Sequence, residues 1–148
     1  MRYVLDASVA LKWVLDEPNV DPALALREEF VNQKIELIAP DIFPIEVAHV
    51  ISKGFRTRQF SADEADAYLT DLTTSLPDLV TSQSLLQRAF QISKHTRTGI
   101  YDALYLALGE IEQVKVVTAD ERMAKLPFDI VLIQDLDLPP GLPLRRPR

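Results

Sequence analysis

The chain has 148 residues, 47% hydrophobic and 26% charged, which fits one globular domain with a sizeable core. It contains no cysteine, which excludes disulfides and thiolate metal sites, and no apolar run reaches the ~18 residues of a membrane span. A formal net charge of −6 and a pI near 4.9 argue against broad non-specific binding to nucleic acid, but not against a small site acting on one phosphate.

Asp6 interrupts MRYVLDASVALKW where a signal peptide would stay apolar, so a cytoplasmic location is expected. Tyr3 to Leu5 reads as a short buried strand and is followed by a helix from about Ser8. A second helix is predicted over Pro22 to Gln33 and a second strand over Glu36 to Ala39. Asp41 suits an N-cap for a helix to about Ser52. In FSADEADAYLTDL, Ser61 followed three residues later by Glu64 is a capping-box signature. Leu79 to Thr81 is a third strand candidate, with Ser82 expected to cap a helix to about Lys94. Next come an apolar helix, GIYDALYLALGE (Gly99 to Glu110), and the strand VKVVT. A short helix at Asp120 to Ala124 and a strand at Ile130 to Ile133 follow. Past Leu138 the tail PPGLPLRRPR is unsuited to an ordinary helix or central strand. Short apolar strands alternating with helices predict a parallel sheet covered on both faces, with its functional crevice at the carboxyl ends of the strands.

Four acids sit in apolar company. Asp6 ends the first strand, Asp120 follows VKVVT, Asp102 begins the apolar helix, and Glu46 lies inside IFPIEVAHV. Each has an ordinary reading. Asp6 and Asp120 suit helix caps, Asp102 suits a first helical turn, and Glu46 suits a surface position or a weak pairing with His49. Together they call for another account, because unpaired buried acids are costly and crowded ones raise each other's pKa. Lys12 and Arg122 are the only obvious basic neighbours. A hard divalent cation, Mg²⁺ or Mn²⁺, would relieve the repulsion and could acidify water.

The segments VLDASVALKW, PDIFPIEVAHV, TGIYDALYLALGE and VVTADERM together resemble the PIN-domain family, specifically the VapC type of toxin ribonuclease from toxin–antitoxin pairs. DAS or TAD alone would be a weak signal; four segments in the family's order, across nearly the whole chain, are a strong one. The resemblance implies an α/β protein with a three-layer α/β/α fold around a parallel sheet of about five strands, over residues 1–138. It also implies an acidic site of Asp6, Glu46, Asp102 and Asp120, with Ser8 and Thr118 as supporting hydroxyls. The family's activity is Mg²⁺- or Mn²⁺-dependent endoribonuclease action, in homodimers silenced by a VapB-like antitoxin. The expected chemistry is in-line hydrolysis of RNA by metal-activated water, leaving a 5′-phosphate. The tail, 139–148, matches nothing in the family pattern.

Positive charge for RNA is local. SKGFRTRQF interleaves Lys53, Arg56 and Arg58 with Phe55 and Phe60, but reads first as a helix corner with its phenylalanines packed inward. Arg145, Arg146 and Arg148 fit a solvated tail, Trp13 fits core or interface, and His49 and His95 fit surface or helix packing. The rival folds lack support. A receiver domain would need an adjacent acidic pair after the first strand, a dehalogenase-like phosphatase would need Asp where Ser8 stands, and no G-x-G-x-x-G or P-loop is present. A non-catalytic PIN-like module that binds metal, RNA or an antitoxin is the alternative function.

Overall fold

The computed structural model describes residues 1–138, and the tail expected at 139–148 lies outside the described residues. The elements in chain order are β1 (Arg2–Leu5), α1 (Ala7–Leu11), α2 (Val20–Val31), β2 (Glu36–Pro40), α3 (Phe43–Arg56), α4 (Ala62–Thr73) and β3 (Asp78–Val80). They continue with α5 (Ser82–Thr96), α6 (Ile100–Glu112), β4 (Val116–Thr118), α7 (Glu121–Ala124) and β5 (Ile130–Leu132), closed by a 3₁₀ turn at Ile133–Asp135. No helix among the described residues is long and apolar enough to cross a membrane.

All five strands are parallel, in the order β3-β2-β1-β4-β5. From β1 the chain winds outward through β2 to β3, then crosses back to β4 on the other side. Because parallel crossovers are right-handed, this reversal places helices on opposite faces of the sheet and puts a switch point between β1 and β4. The mixed α/β architecture with its five-stranded parallel sheet is the one expected.

Burial explains why the strands can be so short. Val4, Leu5, Leu37, Ala39 and Val117 have no exposed surface, as two-sided covering demands. On α6 every residue from Ala103 to Gly109 is buried, so this helix lies within the protein as its sequence predicts. At Gly109 a Cβ would meet Val116 Cγ2 at 2.7 Å and the Val114 carbonyl oxygen at 3.1 Å, so only glycine lets α6 approach β4 this closely. Trp13 joins the core, donating from Nε1 to the Ala23 carbonyl at 2.9 Å.

Ser61 and Glu64 form the expected capping box on α4. Two other caps differ from expectation. Asp41 does not cap α3, whose cap position is Ile42; its carboxylate instead accepts from the backbone N–H of Ser82 at 3.0 Å and from the Ser82 hydroxyl. Ser82 is correspondingly the first residue of α5 rather than its cap, so an acid after β2 secures the helix after β3.

Candidate active site

In a parallel sheet each following helix runs back along the strands, so the helix N-termini gather at the strands' carboxyl edge. Three of the four acids lie at the start of a helix that directly follows a strand, and Asp102 lies at the start of α6, which follows α5. Asp6 occupies the cap position of α1, Glu46 the first turn of α3, Asp102 the first turn of α6, and Asp120 the cap position of α7. The two longer helices, α3 and α6, favour negative charge there. All four line one cleft of about 560 Å³, together with Ser8, Leu11, Ile45, His49 and Tyr101.

Asp6 is 6% exposed and does not cap α1 with its side chain. Its Oδ2 instead accepts from the Ser8 hydroxyl at 2.6 Å and the Thr118 hydroxyl at 2.8 Å. Those hydroxyls also accept, Ser8 Oγ from the N–H of Ala119 and Thr118 Oγ1 from that of Asp120, each at 3.0 Å. Ser8 and Thr118 thus clamp the end of β1 to the loop after β4. Burial pushes the Asp6 carboxyl up to about 6; the two hydroxyls pull it down, and the Asp102 and Asp120 charges push it further up.

Asp120 does cap its helix, Oδ1 accepting from the N–H groups of Arg122 at 2.8 Å and Met123 at 3.4 Å. Asp102 is half-buried and held above the usual carboxylate range by burial and by Asp120, against a smaller opposing pull from Arg122. Glu46 is pushed up to about 7, mainly by burial, with Asp6 and Asp102 adding to the effect and Tyr105 opposing it. Its Oε1 is buried without a hydrogen-bond partner, and so is the Tyr105 hydroxyl. The two groups influence each other's proton affinity without forming a hydrogen bond of ordinary geometry.

None of the ion pairs among the described residues includes any of the four acids. Lys12, a candidate partner by sequence, is turned to Glu17 at 3.3 Å and to the Pro18 carbonyl at 2.7 Å. An oxygen-only donor set with an orphaned carboxylate oxygen fits a hard divalent ion. No group of three or more His, Cys, Asp or Glu side chains among the described residues is arranged to ligate one ion directly. The set therefore fits an ion held partly through its own water shell, as Mg²⁺ commonly is.

Three residues of this region escaped the sequence reading as site residues. Tyr101 (61% exposed) and His49 line the cleft mouth, and Tyr105 lies against Glu46. The spacing carried a signal: His49 follows Glu46 by three residues and Tyr105 follows Asp102 by three, one helical turn in each case. The corner of Lys53, Arg56 and Arg58 is exposed and does not line the cleft. There Phe60 packs edge-on against Tyr68 while Phe55 faces outward, so only one phenylalanine turns in as expected. His95 is exposed on α5.

The PIN domain family profile matches residues 3–129 of the chain. Ribonuclease VapC3 of Pyrobaculum aerophilum is 30% identical over 127 residues, which cover 84% of this chain and 94% of that one. Among solved structures, PAE2754 from Pyrobaculum aerophilum superposes with a TM-score of 0.65 at 19% identity, covering 90% of this chain and 93% of that one. VapBC2 from Rickettsia felis, bound to a DNA fragment from its promoter, superposes with a TM-score of 0.61 at 15% identity, covering 89% and 97%. Both superpositions concern the fold.

Proposed function

The chain belongs to the PIN domain family, and from that premise we propose that it is a Mg²⁺- or Mn²⁺-dependent endoribonuclease, the toxin of a type II toxin–antitoxin pair. The observation that carries this reading is the meeting of Asp6, Glu46, Asp102 and Asp120 in one cleft with no ion pair to any of them among the described residues. Its ribonuclease likeness supports the substrate class.

Asp6 and Asp102 would hold the ion most directly, with Asp120 and Glu46 completing its surroundings. When bound, the ion supplies acidified water and neutralises charge on a phosphoryl oxygen. The protein's own groups do the rest. Ser8 and Thr118 fix the Asp6 carboxyl through Oδ2. Glu46, which lines the cleft beside Asp6 and Asp102 with Oε1 free of any hydrogen-bond partner, is the group suited to take a proton from the attacking water. In-line displacement of the 3′ oxygen then leaves a 5′-phosphate and a 3′-hydroxyl, with no covalent intermediate on the protein.

A cytoplasmic site of action, a homodimer and a VapB-like antitoxin belong to the same reading. The likeness to VapBC2 supports the partner, and the exposed Ile45, Val50 and Tyr101 around the cleft are apolar surface that a protein could cover. A non-catalytic metal- or RNA-binding module is the second reading, favoured by the lack of a ready-made three-ligand cage among the described residues. Incubating the purified chain with total RNA, with and without Mn²⁺, and mapping the cut ends separates the two. Mn²⁺-dependent 5′-phosphate ends that disappear in Asp102→Asn are expected. Equal cleavage by Asp102→Asn would overturn the nuclease assignment.

A further inference from the structure

Asp102 and Asp120 belong to two clefts at once. Besides the acidic cleft they line a second one, of about 320 Å³, together with Arg97, Thr98, Gly99 and Arg122. Arg97 follows α5 in a left-handed conformation at φ 59, and Arg122 lies on α7. Both are exposed. Arg2, Arg27 and Arg88 each pair with an acid, whereas neither Arg97 nor Arg122 has an ion-pair partner among the described residues. Two other unpaired arginines, Arg56 and Arg58, stand at the α3–α4 corner and line neither cleft. A Cβ at Gly99 would meet nothing within 4 Å, so the α5–α6 connection that lines this cleft leaves open space.

Two guanidinium groups outside any ion pair among the described residues, beside a small open cleft, supply the forked N–H donors that suit a phosphate. Accepting the ribonuclease reading, we propose that this second cleft is an anion subsite for the RNA backbone. Arg97 and Arg122 grip the phosphodiester next to the one being cut. The shared wall of Asp102 and Asp120 argues for a strand rather than a free anion. A lone anion would meet two carboxylates, but a strand whose reacting phosphate lies over the acids carries its next phosphate to a neighbouring pocket. The first cleft, rimmed by Ile45, Val50 and Tyr101, is the apolar side of the same path and suits a base.

The test measures binding of a short RNA oligonucleotide to the full chain carrying Asp102→Asn, across a series of KCl concentrations, with and without Arg97→Gln and Arg122→Gln. Replacing both arginines should lower the slope of log K against log salt by about 0.7, the value for one lost single-strand phosphate contact, and either substitution alone should lower it by part of that. The pair should weaken binding roughly tenfold at fixed salt, and Arg→Lys at either position should keep the slope. In the chain with Asp102 intact, the same Gln substitutions should raise KM for RNA and leave kcat nearly unchanged. An unchanged slope and KM, a fall in kcat alone, or no RNA binding by the Asp102→Asn chain at any salt overturns the subsite. Failure of the unaltered chain to cut RNA with Mn²⁺ overturns the nuclease reading instead, while the salt slope still decides the subsite.

Discussion

The two edges of the sheet treat charge in opposite ways. At the amino edge, Arg2 reaches Glu112 at 2.9 Å and Glu36 at 3.9 Å, and Lys115 reaches Asp129 at 3.0 Å. Each of these acids is solvated and faces a cation, with Arg2 shared between two glutamates. At the carboxyl edge, Asp6, Glu46, Asp102 and Asp120 share one cleft, three of them driven upward in proton affinity by burial, and none has a cationic partner among the described residues. A fold optimised for stability alone would treat both edges like the first. The destabilised edge is therefore where a ligand is expected to supply the missing charge.

The largest expected contrast is in activity. Asp6→Asn or Asp102→Asn should lower kcat/KM for RNA at least about 100-fold, the scale of losing a main electrostatic contributor. Arg2→Ala or Lys115→Ala should change it less than twofold. Parallel cleavage assays decide this, and comparable losses at both edges would erase the distinction. The next contrast is thermal. Saturating Mn²⁺ should raise the Tm of the unaltered chain, since a ligand at about 100 times its Kd contributes about 2.7 kcal/mol. Asp6→Asn should lose most of that rise and Lys115→Ala none of it.

Much of the carboxyl edge was legible because three of its acids sit where a sequence pattern changes, and the fourth, Glu46, interrupts the apolar run IFPIEVAHV. Asp6 directly follows one apolar strand, Asp120 lies two residues past another, and Asp102 opens a helix with no polar face. What was not legible involved partners distant in sequence. Asp41 reads locally as a cap for α3, yet its hydrogen bonds go to Ser82, 41 positions away. Tyr105 is core, and only the fold reveals that its hydroxyl and Glu46 Oε1 are buried near each other without partners. Lys12 looked available to the acids until the turn after α1 brought Glu17 and the Pro18 carbonyl to it.

A smaller effect tests the cost of the acidic edge directly. The Glu46 carboxyl goes from an ordinary 4.5 to about 7 on folding, so the fold prefers its neutral form. Below about pH 4.5 both states are protonated and no penalty exists. The penalty grows between 4.5 and 7, where only the unfolded chain ionises, and it is complete above 7. Glu46→Gln should therefore stabilise the metal-free protein on the order of 1–2 kcal/mol at pH 8 and give no gain at pH 4. Melting curves in EDTA at the two pH values measure it. A loss of stability at pH 8 would mean that the glutamate already has a partner in the fold.

The smallest effect belongs to the paired edge. Lys115 and Asp129 are joined at 3.0 Å with side chains 53% and 63% exposed, so water screens the attraction and holding two long side chains costs entropy. Lys115→Ala should reduce stability by less than about 1 kcal/mol, and Lys115→Ala with Asp129→Ala should be close to additive, with a coupling of a few tenths of a kcal/mol. The coupling should shrink further in 1 M salt, where the Debye length falls to about 3 Å. Denaturant melts of the four chains in the cycle give the number. A coupling of several kcal/mol would show that the amino edge, too, holds charge in a water-poor setting, and the difference in solvation between the two edges could then no longer explain why the four acids of the carboxyl edge have no ion pair among the described residues.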